Sequence, residues 1–116
     1  LLHYLPDERI IVLNAFPISA LMKHAHQVTW YIERIPFEEF MRRLEEARRE
    51  GVEVVSYVRH PATAKLLGLQ PSSGNYEYKR GDTIYIVVLA TPQRGVEVTE
   101  VKPEDLEVFM VLEVED

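Results

Sequence analysis

The 116-residue chain contains no cysteine, and this absence removes several kinds of chemistry at once. Disulfides, thiol nucleophiles, zinc knuckles and iron–sulfur clusters all require that residue. The groups left to carry chemistry are histidine, carboxylates, hydroxyls and arginine. No apolar run approaches the roughly 20 residues that cross a bilayer, and no signal-peptide pattern opens the sequence. We therefore expect a cytoplasmic protein with no membrane partner.

Basic residues are also scarce, with 13 Lys and Arg against 19 Asp and Glu, a formal net charge of −6. Duplex DNA draws most of its affinity from a basic protein face, so this balance argues against duplex DNA as a partner. A local basic pocket remains compatible with it. Asparagine occurs only as Asn14 and Asn75, which together with the charge content fits the composition favoured in hot environments.

Apolar periodicity predicts a small α/β fold. The clearest element is a helix from Pro36 to Arg49, whose apolar residues form one stripe and whose end is marked by Gly51. A shorter helix is predicted from Pro61 to Leu67 and another after Pro17. The predicted strands are a continuous run from Ile10 to Leu13, an alternating segment through Val28, Trp30 and Ile32, a central strand from Val52 to Val58, a short strand at Tyr76 and Tyr78, a run from Ile84 to Ala90, and a final strand from Val108 to Val114.

Helices placed between strands favour a sheet with both parallel and antiparallel pairs. The length leaves room for one domain, and no linker or repeat interrupts the sequence. We therefore predict a single domain over residues 1–116, with a small mixed β-sheet of about five strands flanked by helices.

The turn around His60 is the most informative stretch. Pro61 biases His60 away from the α region, which places the histidine at a strand-to-helix junction. Free amides of Ala62 and Thr63 would there face an anion such as phosphate, with Arg59 and Lys65 close in sequence. The imidazole could protonate a leaving oxygen. The alternative is an exposed histidine in a turn.

Two further segments contain candidate residues. Asn14 begins a second strand-to-helix turn, and such turns form the ligand crevice of open α/β sheets. The alternative for Asn14 is a buried residue that caps the turn. His24 and His26 have a spacing that can bind a metal, but no third ligand stands nearby, so we expect no metal and no cofactor.

The chain resembles the small ring nucleases that act against type III CRISPR signalling, which occur in archaeal viruses as anti-CRISPR proteins and in some cellular genomes. The resemblance rests on the order of four motifs over most of the chain. Viral members carry hydroxyl or acidic residues where this chain has Pro17, Pro61 and Ala62, and their loop before Gln93 is shorter. The motifs are Val12-Leu13-Asn14-Ala15-Phe16, His60-Pro61-Ala62-Thr63-Ala64-Lys65-Leu66-Leu67, Ile84-Tyr85-Ile86-Val87, and Gln93-Arg94 with Glu97.

The resemblance implies a homodimer that cleaves cyclic tetra-adenylate without metal, leaving linear di-adenylate with a 2′,3′-cyclic phosphate. Cleavage would switch off type III CRISPR effectors. The resemblance implies catalytic roles for His60, Arg94 and Glu97. It implies ligand contacts from Asn14, Phe16, Ser19, Arg59, Ala62, Thr63, Lys65 and Gln93.

Two alternatives of another class remain open from the sequence. One is a module that binds or senses a cyclic oligoadenylate without cutting it. The other is a viral structural protein associated with nucleic acid.

Overall fold

The core of the protein is a mixed β-sheet, which the computed structural model describes over residues 3–4, 9–23, 25–90 and 100–115. The strands are β1 (His3–Tyr4), β2 (Arg9–Leu13), β3 (Trp30–Ile35), β4 (Glu53–Ser56), β5 (Asp82–Leu89) and β6 (Leu106–Glu115). The helices are α1 (Ile18–Leu21), α2 (Phe37–Arg49) and α3 (Pro61–Leu67), with a 3₁₀ turn at Pro103–Asp105.

The five longer strands lie in the order β3-β6-β5-β2-β4, and the two-residue β1 pairs with the end of β6. β2 runs parallel to both β4 and β5, while β6 runs antiparallel to β5 and β3. The predicted small mixed α/β fold, with about five strands and flanking helices, is confirmed.

Helix α2 forms where the apolar stripe predicts it. Pro36 is the N-terminal cap residue, in an extended conformation, and the buried residues are Phe40, Leu44 and Ala47. Gly51 follows the helix with a φ of 77°, a left-handed conformation that glycine adopts without strain. In the described part of the chain, no helix combines the length and the apolar character needed to span a lipid bilayer.

The two faces of the sheet are covered differently. Helices α2 and α3 pack on one face, against a cluster that contains Ile10, Val12 and Tyr85. The opposite face carries Ile11, Ile84 and Val111, and its cover includes α1 and the loop from residue 71 to residue 81. Among the described residues, that second face is covered by the four-residue α1 and by loop side chains, and by no long helix.

Two details of the predicted elements are wrong. The segment from Val52 to Val58 is not a central strand, because among the described residues β4 pairs along its length with β2 alone and on its other side has a single bridge between Ser56 and Pro71. Tyr76 and Tyr78 do not form a strand. Their alternation arises because both rings turn from an irregular loop onto the same face of the sheet.

Candidate functional site

The carboxyl ends of the three parallel strands meet at one edge of the sheet. Val12 of β2 pairs with Ser56 of β4, and the amide of Tyr57 donates to the carbonyl of Val12 over 2.8 Å. The turn that begins at Asn14 therefore lies beside the segment that leads from β4 to His60. β5 ends at this same edge because it runs parallel to β2. We call this the carboxyl edge.

His60 is fixed at the start of α3 by Thr63. The histidine has φ −64° and ψ 115°, the extended conformation that a following proline favours, and Pro61 is the first helical residue. His60 Nδ1 lies 2.9 Å from Thr63 Oγ1 and 3.4 Å from the Thr63 amide nitrogen, which donates to it. Thr63 itself is buried, so it forms a firm support for the ring.

This arrangement assigns different tasks to the two ring nitrogens. Nδ1 is engaged by Thr63, and no residue in the described part of the chain forms a hydrogen bond with Nε2, so Nε2 is the nitrogen available to a ligand. The Thr63 hydroxyl can donate to Nδ1 in the neutral ring and accept from Nδ1–H in the protonated ring. The hydroxyl can therefore serve either form of Nδ1, whereas the Thr63 amide can donate only to an Nδ1 that carries no proton.

The Thr63 amide that the sequence places opposite a phosphate is occupied by the histidine ring instead. The physical reason is that His60 acts as the N-terminal cap of α3 and takes up one of the free amides of the first turn. Thr63 therefore positions His60, and a direct contact between Thr63 and a ligand stays a prediction. Ala62, beside it, is half-buried.

The two cationic side chains near His60, Arg59 and Lys65, lie in different environments. Arg59 is exposed and donates from Nη2 to the carbonyl of Gly74 over 2.6 Å, which ties the turn to the loop from residue 71 to residue 81. Lys65 is exposed on α3.

The residues that follow β2 are also accessible. Asn14 is exposed, which excludes the alternative of a buried residue at this turn. Ser19 is exposed, and the Phe16 side chain is 41% exposed despite its apolar character.

Gln93, Arg94 and Glu97 lie outside the described residues, as does His24. The segment that contains Gln93, Arg94 and Glu97 follows Ala90, and the amide of Ala90, directly after β5, donates to the carbonyl of Asp105 over 2.9 Å. The roles implied for these residues stay predictions. Among the described residues, no group of three or more histidine or carboxylate side chains could hold a metal ion.

A buried polar network that the sequence analysis missed supports the neighbouring loop. Asp82 is 4% exposed, and its carboxylate accepts from Arg9 Nε and Nη2 at 2.8 and 2.7 Å, from Tyr76 Oη at 2.7 Å and from the Lys79 amide at 3.0 Å. Arg9 and Asp82 are 73 positions apart in sequence, so no local spacing signals the pair.

Burial and hydrogen bonding keep two tyrosines of this loop in their neutral form. Burial is the main cause that raises the pKa of Tyr76 far above its usual value of 10.0, and the bond to Asp82 adds to it. The pKa of Tyr78 is also raised by burial and by its bond to Glu113. Both phenols are thus held as donors to carboxylates.

The fold has a counterpart among solved structures. The chain is similar to B116 of Sulfolobus turreted icosahedral virus, with a TM-score of 0.68 over 89% of this chain and 97% of that one. The two sequences are 18% identical. Comparisons with protein-family models and with curated proteins give no match. The protein therefore shares the fold of a protein from a virus of Sulfolobus.

Proposed function

We propose that this protein is a metal-independent ring nuclease that opens cyclic tetra-adenylate into linear di-adenylate with 2′,3′-cyclic phosphate ends. The observation that carries the proposal is the state of His60 at the carboxyl edge, where Thr63 engages Nδ1 and Nε2 remains for the substrate. The edge also carries the exposed Asn14 turn and the end of β5.

RNA supplies its own nucleophile for this reaction. The 2′-hydroxyl attacks the adjacent phosphorus in line, a 2′-oxygen–phosphorus bond forms, and the bond from phosphorus to the 5′-oxygen breaks. His60, starting as the doubly protonated imidazolium, gives the Nε2 proton to the departing 5′-oxygen and is left as a neutral imidazole with its proton on Nδ1, and the 2′-hydroxyl proton passes to solvent. The protein has to align the two oxygens, stabilise charge on the phosphate and protonate the leaving group.

The dimer follows from the symmetry of the substrate. A cyclic tetranucleotide has two-fold symmetry, and an isologous pair of chains can present one His60 to each of two opposite phosphodiesters. Exposed apolar side chains beside the carboxyl edge support such a pair, since Phe16 is 41% and Ile18 is 62% exposed.

The charge of the protein opposes an anionic ligand, so the site needs local positive charge. Each chain has a formal charge of −6. Arg59 and Lys65 flank His60 on exposed positions, and Arg94 is the further cation that the resemblance implies. An Arg guanidinium suits phosphate because its planar donors match two oxygens at once.

The shared fold with B116 supports a viral setting for this activity. Destruction of the second messenger would then protect a virus from the CRISPR effectors of its host. The same reaction in a cell would end the signal once the invader is cleared.

The experiment that tests the acid role compares His60→Ala with His26→Ala, an exposed histidine of the connection between α1 and β3. We expect His60→Ala to lose a factor on the order of 10²–10⁴ in single-turnover cleavage and to keep most of its affinity for the ring, because a general acid acts mainly in the transition state. His26→Ala should cleave like the wild type. Equal rates in the two variants would remove His60 from the mechanism.

Binding of the ring with no cleavage by the wild type would favour the sensing module. Absence of saturable binding would favour a structural protein of a virus.

A further inference from the structure

A cleft of about 810 Å³ opens on the thinly covered face of the sheet. One wall is the segment that follows β2, from Phe16 through α1. The other wall is the loop that carries Tyr76 and Tyr78, and the floor includes Trp30 of β3 and Glu113 of β6. The volume lies within the range of small-molecule sites.

The cleft is rich in aromatic surface. The rings of Trp30 and Tyr78 meet edge to face with centroids 5.4 Å apart, and Tyr76 packs against Tyr57 with centroids 5.7 Å apart. Phe16 adds an exposed ring at the opening. Aromatic side chains of this kind are the usual surfaces against which proteins stack nucleobases.

The polar side chains that line the cleft are Ser19, Lys23, Asn75, Glu77 and Glu113. Glu113 is the one that lies beside the aromatic pair of Trp30 and Tyr78, and it is the group that we expect to discriminate between flat rings. The Glu113 carboxylate accepts a hydrogen bond from Tyr78 Oη and has further lone pairs to accept another. A heterocyclic base with an amino group can donate a hydrogen bond to this carboxylate. A base with a carbonyl group in the same place would bring its oxygen against the carboxylate oxygen, and the two would repel each other.

The cleft is pre-formed on its loop side, and a hydrogen bond links this loop to the turn that contains His60. The Asp82 network holds Tyr76 in place, and pre-formed sites lose less entropy when a ligand binds. Arg59, next to His60, donates to the carbonyl of Gly74, and the following residue, Asn75, lines the cleft. A nucleotide base in the cleft and a phosphate at the carboxyl edge would thus be held by connected segments.

We propose that this cleft binds a purine base with an exocyclic amino group, its ring against Trp30 and Tyr78 and its amine donating to Glu113. The inference rests on the proposed function in one respect, since an adenine of the cyclic substrate would be the natural occupant. A free adenine nucleotide offers the same chemistry, and the test distinguishes the two sources.

The protein contains one tryptophan, Trp30, so its fluorescence reports directly on the cleft. We would titrate the protein with adenosine monophosphate and with inosine monophosphate, in which a carbonyl replaces the amine. A saturable change with the adenine nucleotide, at least about ten-fold tighter than with inosine monophosphate, is the expected result. Equal affinities, or no saturable change with either the mononucleotide or the ring, would overturn the proposal.

Glu113→Gln tests the selecting group, because an amide can also donate to the inosine carbonyl. The preference for the adenine nucleotide should shrink several-fold or reverse. Glu107→Gln is the matched control, a carboxylate on the same strand and face that pairs with Arg34 over 3.5 Å and should leave both affinities unchanged. An unchanged preference in Glu113→Gln contradicts the assignment. If that variant fails to fold, the comparison of the two nucleotides on the wild type still decides.

Cyclic tetra-adenylate is titrated into His60→Ala, which we expect to cut it slowly enough for binding to be measured. If cyclic tetra-adenylate binds much more tightly than the mononucleotide, an adenine of the cyclic substrate is the occupant of the cleft. If the mononucleotide binds more tightly, a free nucleotide is the occupant. If the wild type cuts the ring while Trp30 reports no ligand, the cleft proposal fails and the nuclease stands. If Trp30 reports adenine binding and no ring is cut, the nuclease fails and the cleft stands.

Discussion

At the scale of single residues, the proposed activity depends on how His60 is held. The sequence predicts the place of this histidine, because Pro61 after it and Gly68 at the far end bound a short helix. It does not predict the partner of the ring. The cap in which His60 engages the Thr63 amide and hydroxyl depends on side-chain orientation, and the burial of Thr63 depends on packing against the sheet.

Thr63 gives a prediction of its own. Thr63→Val removes the hydroxyl next to His60 Nδ1 while keeping the shape, and we expect cleavage to slow by about ten-fold because the ring loses its fixed orientation. The lost hydrogen bond should lower the free energy of unfolding by about 1 kcal/mol. Single-turnover rates and urea unfolding measure the two effects.

Thr63→Ser is the control for that variant, since it restores the hydroxyl. It should recover most of the rate even if it does not recover all the stability. A Ser variant as slow as the Val variant would show that packing of the methyl group, and not the hydroxyl, supports the site.

At the scale of elements, local pattern predicts the helices and most strands well. The bounds of α3 follow from Pro61 and Gly68, and those of α2 from its stripe and its charged ends. The pattern fails where pairing partners decide the outcome. A short apolar run looks the same in an edge strand and in a central strand, so the pattern does not show that β4 lies at the edge of the sheet. Tyr76 and Tyr78 alternate because they belong to a loop that lies on the sheet.

The candidate site shows the same limit. The sequence places Asn14 and His60 in separate turns, and only the parallel pairing of β2 with β4 brings these turns to one edge. The aromatic cleft escapes sequence analysis because its walls come from four separate segments.

The loop from residue 71 to residue 81 yields a pH prediction. Tyr76 and Tyr78 have raised pKa values, so they stay neutral in the folded protein while the unfolded chain ionises near pH 10. Their contribution to stability is fully present below pH 10 and is lost as the pH rises through the folded pKa values. The free energy of unfolding should therefore fall on going from about pH 8 to about pH 10.5.

Urea unfolding at the two pH values measures this loss. Tyr76→Phe should cost about 1 kcal/mol at the lower pH, from the lost bond to Asp82, and should show a smaller decline with pH than the wild type. Tyr31→Phe is the control, because its exposed phenol pairs with Glu33 on β3. A decline as steep in Tyr76→Phe as in the wild type would contradict the origin we assign.

At the scale of the whole molecule, the proposed unit is a dimer with one His60 for each of two scissile bonds. A mixed dimer of one His60→Ala chain and one wild-type chain should make a single cut and release linear tetra-adenylate. Only one of the two scissile phosphodiesters then lies next to a His60 that can protonate its leaving oxygen. Two affinity tags isolate the mixed species, and chromatography resolves its products.

A mixed dimer of His26→Ala with wild type is the matched control and should make both cuts. Sedimentation that shows a monomer with and without ring would contradict the shared site, as would di-adenylate as the first product of the His60→Ala mixed dimer.

The most direct test of the central claim is product analysis after the pure protein meets cyclic oligoadenylates of several ring sizes in EDTA. The account predicts that cyclic tetra-adenylate is converted to linear di-adenylate with a 2′,3′-cyclic phosphate and a 5′-hydroxyl, at a rate that EDTA leaves unchanged. An intact ring under these conditions, or activity that returns only when Mg²⁺ or Mn²⁺ is added, would contradict it.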